Sequence, residues 1–142
     1  MPEANVLHFL GYTVDELTFN LKPADTVDTE KSIELLPKLS RKIEKTNDEN
    51  YSISIGVTLD QEDLPFTAQV SMTGRFLLQG IKNPEQTMKV NAAAILYPYV
   101  RAAISMLTTL ANVPPVVLPP VNFVKLFEEL SLIHISEPTR LA

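Results

Sequence analysis

Between Val90 and Val124 this chain carries a single charged residue, Arg101. No other feature limits the possible folds as much. The run opens with a helical pattern, passes through Pro114-Pro115 and Pro119-Pro120, and restarts as a short amphipathic helix. A chain of 142 residues is expected to form one domain around one core. A core of that size leaves part of such a run uncovered. Either other subunits cover it, or it stays open to bind something apolar.

Membrane insertion is not expected. A span needs about 20 consecutive apolar residues in one helix. Here the pattern continuing from Ala102 ends at Pro114, and Arg101, Thr108, Thr109 and Asn112 interrupt it. The net charge of −5 offers no basic footprint for nucleic acid. Absence of cysteine removes disulfides, thiolate nucleophiles and zinc-thiolate sites. The N-terminal MPEANVLHFLGY lacks the basic and apolar regions of a signal peptide, so a cytoplasmic location is expected.

Catalytic chemistry is equally hard to assemble. His8 sits in a strand pattern among apolar neighbours, and the carboxylates of Asp60, Glu62 and Asp63 or of Asp48-Glu49 read as solvated turns. With only four glycines there is no phosphate-cradling loop. The chain is expected not to be an enzyme and to need no cofactor or metal. Residues 130–142 stand apart. LSLIHISEPTR, Leu130 to Arg140, matches the translation of a transposase-adapter end used in DNA library preparation. The working domain is therefore expected to be 1–129, followed by a non-native tail, and His134 is excluded from any site.

The first half reads as strands. Tyr51, Ile53, Ile55, Val57 and Leu59 alternate with Ser52, Ser54, Gly56 and Thr58. Leu64, Phe66, Ala68, Val70, Met72, Phe76 and Leu78 alternate with Thr67, Gln69, Ser71, Thr73 and Arg75. The polar Asp60–Asp63 between them predicts a hairpin. Leu7 and Phe9, then Leu17, Phe19 and Leu21, predict one strand with a bend or bulge near Gly11. Residues 33–43 fit a helix or a strand by spacing; Pro37 favours an edge strand. Lys22 to Ser32 reads as a crossover loop.

Asn83-Pro84 predicts a helix start leading into a main helix from about Asn91 to Asn112, bent or opened by Pro98. That helix is apolar over most of its circumference, which calls for burial on more than one side. Asn122 predicts an N-cap for a last helix with Phe123, Leu126, Phe127 and Leu130 on one face. All strands precede both helices, so the fold class is α+β, an antiparallel sheet with helices on one face.

The segments Tyr97-Pro98-Tyr99-Val100-Arg101, Leu118-Pro119-Pro120-Val121-Asn122-Phe123 and Leu126-Phe127 occur in order and at matching spacing. They resemble the SecB protein-export chaperone family, over about residues 6–129. The resemblance implies a four-stranded antiparallel sheet with two helices packed on one face, assembled as a homotetramer, a dimer of dimers. Oligomer-interface residues would then be Tyr97, Arg101, Ile104 and Thr108 on the long helix. Its implied function is ATP-independent holding of unfolded preprotein polypeptides before translocation, with Leu118, Val121, Phe123, Phe127 and Phe76 as peptide-binding residues. It also implies docking to the SecA motor through an acidic residue on the exposed face of the second hairpin strand. Here that position is Gln69, a departure that counts against the contact. Two other readings stay open: a dedicated chaperone of an antitoxin or other single partner, and a small α+β module for an apolar ligand.

Overall fold

The computed structural model describes residues 5–23, 32–125, 132–134 and 137–140. Its elements are β1 (Val6–Leu21), β2 (Ser32–Leu35), β3 (Lys38–Lys45), β4 (Asn50–Leu59), β5 (Phe66–Gln79), α1 (Pro84–Thr87), α2 (Ala93–Leu110), β6 (Leu132–His134) and β7 (Glu137–Arg140). The main antiparallel sheet has the order β1-β5-β4-β3-β6, while β2 pairs with β7. The α+β class and the four N-terminal strands agree with the expectation. The stretch 33–43 is strand, but Leu36-Pro37 divides it into β2 and β3.

The hairpin β4–β5 supplies the floor of the core. Tyr51, Ile53, Ile55, Val57 and Leu59 face inward from β4, and Phe66, Ala68, Val70, Met72, Phe76 and Leu78 from β5. Strict alternation separates them from hydroxyl-bearing residues on the outer face. The polar turn does more than solvate the hairpin. Gln61 Oε1 accepts from the Leu36 amide at 2.7 Å, and Gln61 Nε2 donates to the Glu34 carbonyl at 3.0 Å. Lys22 Nζ donates to the Gln61 carbonyl at 2.6 Å. One turn thus ties the end of β1 and the β2–β3 connection to the hairpin.

β1 holds its apolar residues on one face through two register shifts, at Phe9/Gly11 and Val14/Glu16. Opposite β5, Phe9, Tyr12, Val14, Leu17, Phe19 and Leu21 therefore all point the same way as Phe76 and Val70. Gly11 takes a φ of 124°, a conformation that glycine adopts without the clash of a side chain. Phe9 stacks on Phe76 with centroids 5.1 Å apart, and Phe19 on Phe66 at 5.0 Å. Tyr12, Val14, Leu17 and Leu21 nevertheless remain exposed on this edge strand.

Asn83 caps the helical segment as expected, its Oδ1 accepting from the Gln86 amide at 3.3 Å, with Pro84 in the first turn. Between α1 and α2, Met88–Ala92 forms a π turn, so the irregularity lies upstream of Pro98. α2 crosses the sheet through Ala93, Leu96, Tyr97, Val100, Ile104 and Thr108. It comes close because Gly74 leaves room: a Cβ there would meet Leu96 Cδ1 at 3.3 Å and Phe76 Cε1 at 3.1 Å. Asn112, at φ 62°, ends the helix with the paired bonds Val113 N–H to Thr108 O and Asn112 N–H to Thr109 O.

Helical residues Pro84–Leu110 are long and apolar enough, by length and composition, to cross a bilayer. This exceeds the run counted from Ala102 in the sequence, because the helix begins well before Arg101. Its inner stripe is committed to the sheet rather than to lipid.

Candidate functional site

Beyond Asn112 the chain turns back and runs antiparallel to α2. Four helix side chains hold it. Thr108 Oγ1 accepts from the Val116 amide at 3.0 Å, and Ser105 Oγ donates to the Val116 carbonyl at 2.8 Å. Arg101 Nε donates to the Leu118 carbonyl at 3.0 Å, and the Tyr97 hydroxyl donates to the Pro119 carbonyl at 2.7 Å. Moving down the helix corresponds to moving up the loop. The chemistry suits the sequence of the loop. Prolines have no N–H, so a strand ladder is impossible, yet buried carbonyls still need donors. The helix supplies them. Val116 and Leu118 are buried beneath this strap, whereas Val117 points outward.

After Pro119 the chain diverges from the helix and a cleft of about 430 Å³ opens. Val90 and Ala94 line the helix side; Pro120, Val121, Asn122, Phe123 and Val124 form the opposite wall. The Phe123 ring meets the Tyr97 ring edge-on, centroids 5.6 Å apart at 75°. At the far end Asn122 Oδ1 accepts from the amides of Val124 and Lys125 at 3.1 and 3.2 Å, the capping geometry expected of it. No charged residue lines the cleft. Its volume falls in the range of ligand pockets, about 300–1,000 Å³. Such a lining rewards apolar groups by removing them from water, at ~1.5–3 kcal/mol for each well-buried side chain.

The expected peptide-binding residues divide. Val121 and Phe123 line the cleft. Leu118 is fully buried and anchors the strap instead. Phe76 lies in the core between Phe9 and the helix, so its place in a groove is corrected: the inward register of β5 seals it beneath Leu96. Phe127, like the body of the last helix, falls outside the described residues. Val90, Ala94, Pro120 and Val124 were not anticipated. They belong to no periodic pattern, and only the return of the loop brings them together.

Tyr97, Arg101, Ile104 and Thr108 also require correction as interface residues. All four are on the side of α2 turned into the protomer, with Ile104 and Thr108 completely buried. Arg101 does find the partner that a lone guanidinium on an apolar helix needs, but that partner is a carbonyl of its own chain. The residues that α2 exposes are Tyr99, Met106 and Leu110. Tyr99 packs on Tyr12 at 4.7 Å between centroids, which joins this stripe to the uncovered face of β1. Gln69 sits on the outer sheet face between Thr18 and Thr58.

The family model for preprotein translocase subunit SecB matches residues 4–131. The chain belongs to the SecB family. It is 30% identical over 121 residues to the protein-export protein SecB of Psychrobacter cryohalolentis, covering 82% of this chain and 81% of that one. It is 33% identical over 98 residues to SecB of Neisseria meningitidis, covering 65% and 67%. An uncharacterized protein of Methanocaldococcus jannaschii is 33% identical over 129 residues, covering 85% and 82%. Among solved structures, a Mycobacterium tuberculosis SecB-like chaperone bound to a peptide of the HigA1 antitoxin has a TM-score of 0.64. That comparison covers 81% of this chain and 90% of that chain at 15% identity. The SecB fold is thus shared, including the strand order and the long helix.

Proposed function

We propose that this SecB-family protein is an ATP-independent holdase that keeps non-native polypeptides from aggregating. The observation that carries the reading is the uncharged cleft between Val90, Ala94 and the Pro120–Val124 wall. A chaperone of this kind needs apolar surface that is presented without demanding one shape. Several weak pockets then bind reversibly, and spreading them over a homotetramer multiplies affinity through effective concentration. The uncovered stripe of Tyr99, Met106 and Leu110 with the exposed face of β1 is the surface on which that assembly would close. We place the protein in the cytoplasm, acting without cofactor or catalysis, and regard 1–129 as its working domain. Sequencing the end of the gene tests the foreign origin of 130–142.

The test is light scattering of a chemically unfolded client diluted into buffer without nucleotide. Stoichiometric protein should suppress aggregation. Unchanged aggregation at that ratio sinks the proposal.

A second reading keeps the cleft and narrows the job to one partner, such as an antitoxin. Two observations favour it: the fold shared with a chaperone seen holding an antitoxin peptide, and neutral Gln69 where docking to SecA calls for an acid. Binding to many unrelated unfolded chains with similar affinity would count against it. Retention on immobilised SecA would count for an export role.

A further inference from the structure

We propose that Tyr97 is the positioning residue that sets the aperture of the cleft, and with it the preference for aliphatic over aromatic client side chains. The inference rests on the holdase reading above and deepens it. Tyr97 is the one residue that touches the mobile side of the cleft at two places. Its hydroxyl holds the Pro119 carbonyl at 2.7 Å, where strap becomes wall. Its ring abuts Phe123, which forms part of that wall. Nothing else fixes the span between them: Pro120 has no amide proton, and the next anchor is Asn122, whose Oδ1 serves Val124 and Lys125.

The consequence is a wall hung between two fixed points. Tyr97 is itself immobile, with its ring almost wholly buried and its backbone inside α2. Held this way, the wall keeps Val121 and Val124 at a set distance from Val90 and Ala94. A preorganised cleft avoids the entropy cost of ordering the loop when a client arrives. It also fits branched aliphatic groups and resists the larger indole, which must push the wall outward. Without the hydroxyl the wall has one anchor, the cleft widens on demand, and discrimination by size declines.

Two extended peptides, identical except for a central leucine or tryptophan in a neutral Ser/Gly context, provide the probe. Each carries a terminal dye for anisotropy titration against the full chain. Tyr97→Phe retains the ring and deletes only the hydroxyl; Ser105→Ala removes a strap bond remote from the cleft. In Tyr97→Phe the leucine peptide should bind about 2- to 12-fold more weakly, the range for one neutral hydrogen bond. Tryptophan should lose less, so the leucine-to-tryptophan ratio falls. Amide exchange of Val121, Asn122 and Phe123 in the free protein should quicken by a similar factor. Ser105→Ala should move neither the ratio nor those amides. The assignment is overturned if Tyr97→Phe leaves the ratio unchanged while the unaltered chain binds, or if Ser105→Ala shifts it equally. If the unaltered chain binds neither peptide, the holdase reading itself fails and the assignment falls with it, whatever the exchange data show.

Discussion

The two long sides of α2 are made from the same apolar helix and meet opposite fates. One side presents Tyr97, Arg101, Ser105 and Thr108 to a proline-rich strap, and each polar group is used on a backbone partner. The other side presents Tyr99, Met106 and Leu110, with Leu110 at 80% exposure. Polar residues are thus spent inside the protomer, and apolar ones are left outside. The inversion has a simple cause. A loop poor in amide protons can be buried only if side chains complete its hydrogen bonds, whereas an apolar stripe is tolerated outside when a neighbour or client covers it.

This contrast can be broken hardest from the strap side. Ile104 is completely buried between sheet and strap, so Ile104→Ala should cost about 2–5 kcal/mol in denaturant unfolding. Thr108→Val tests the polar half of the same side. It keeps the shape but leaves the Val116 amide buried with no acceptor, at a cost of about 1–3 kcal/mol. A loss under 0.5 kcal/mol would mean that water or a backbone shift replaces the hydroxyl, and the ladder would not be what holds the strap. Asn122→Ala should cost about 1 kcal/mol, the usual value of an N-cap, and should quicken exchange at Val124 and Lys125.

Much of the scaffold was legible because it rests on periodicity. Alternation over residues 51–59 and 64–78 set the hairpin, its register face and its turn. β1 was legible only in part. Leu7, Phe9, Leu17, Phe19 and Leu21 share one parity, so they fit a nearly regular strand. Tyr12 and Val14 have the other parity, and both face inward only because a second shift at Val14/Glu16 follows the one at Gly11. A single bulge would have put Leu17, Phe19 and Leu21 outside. In residues 33–43 the spacing served two periods, and Pro37 decided for strand but did not announce the break at Leu36.

The site was less legible, for a different reason. Its residues meet through tertiary contacts, such as Tyr97 with Pro119 at a separation of 22 residues, and no local period encodes such a meeting. One signal was available. Four hydrogen-bonding side chains at positions 97, 101, 105 and 108 recur at helical spacing on an otherwise apolar helix, shortly before a segment rich in proline. A row of donors ahead of a run of carbonyls without amide partners points to strap and helix packing together. Read that way, Arg101 and Thr108 belong inside the protomer rather than at a subunit contact.

The gentlest change sharpens the comparison from the outward side. Met106→Ser with Leu110→Ser removes exposed apolar atoms and touches no hydrogen bond of the strap. Protomer stability should move by no more than about 0.5 kcal/mol, as surface substitutions do, when unfolding is followed at one low protomer concentration. Mass in light scattering should respond far more. If the stripe closes the assembly, the double variant should sediment and scatter as a smaller species while its unfolding midpoint stays put. If instead the mass holds and the midpoint falls, Met106 and Leu110 are packed within the protomer and the two sides of α2 do not differ as described. The paired measurement separates these cases because one quantity reports contacts between chains and the other contacts within one.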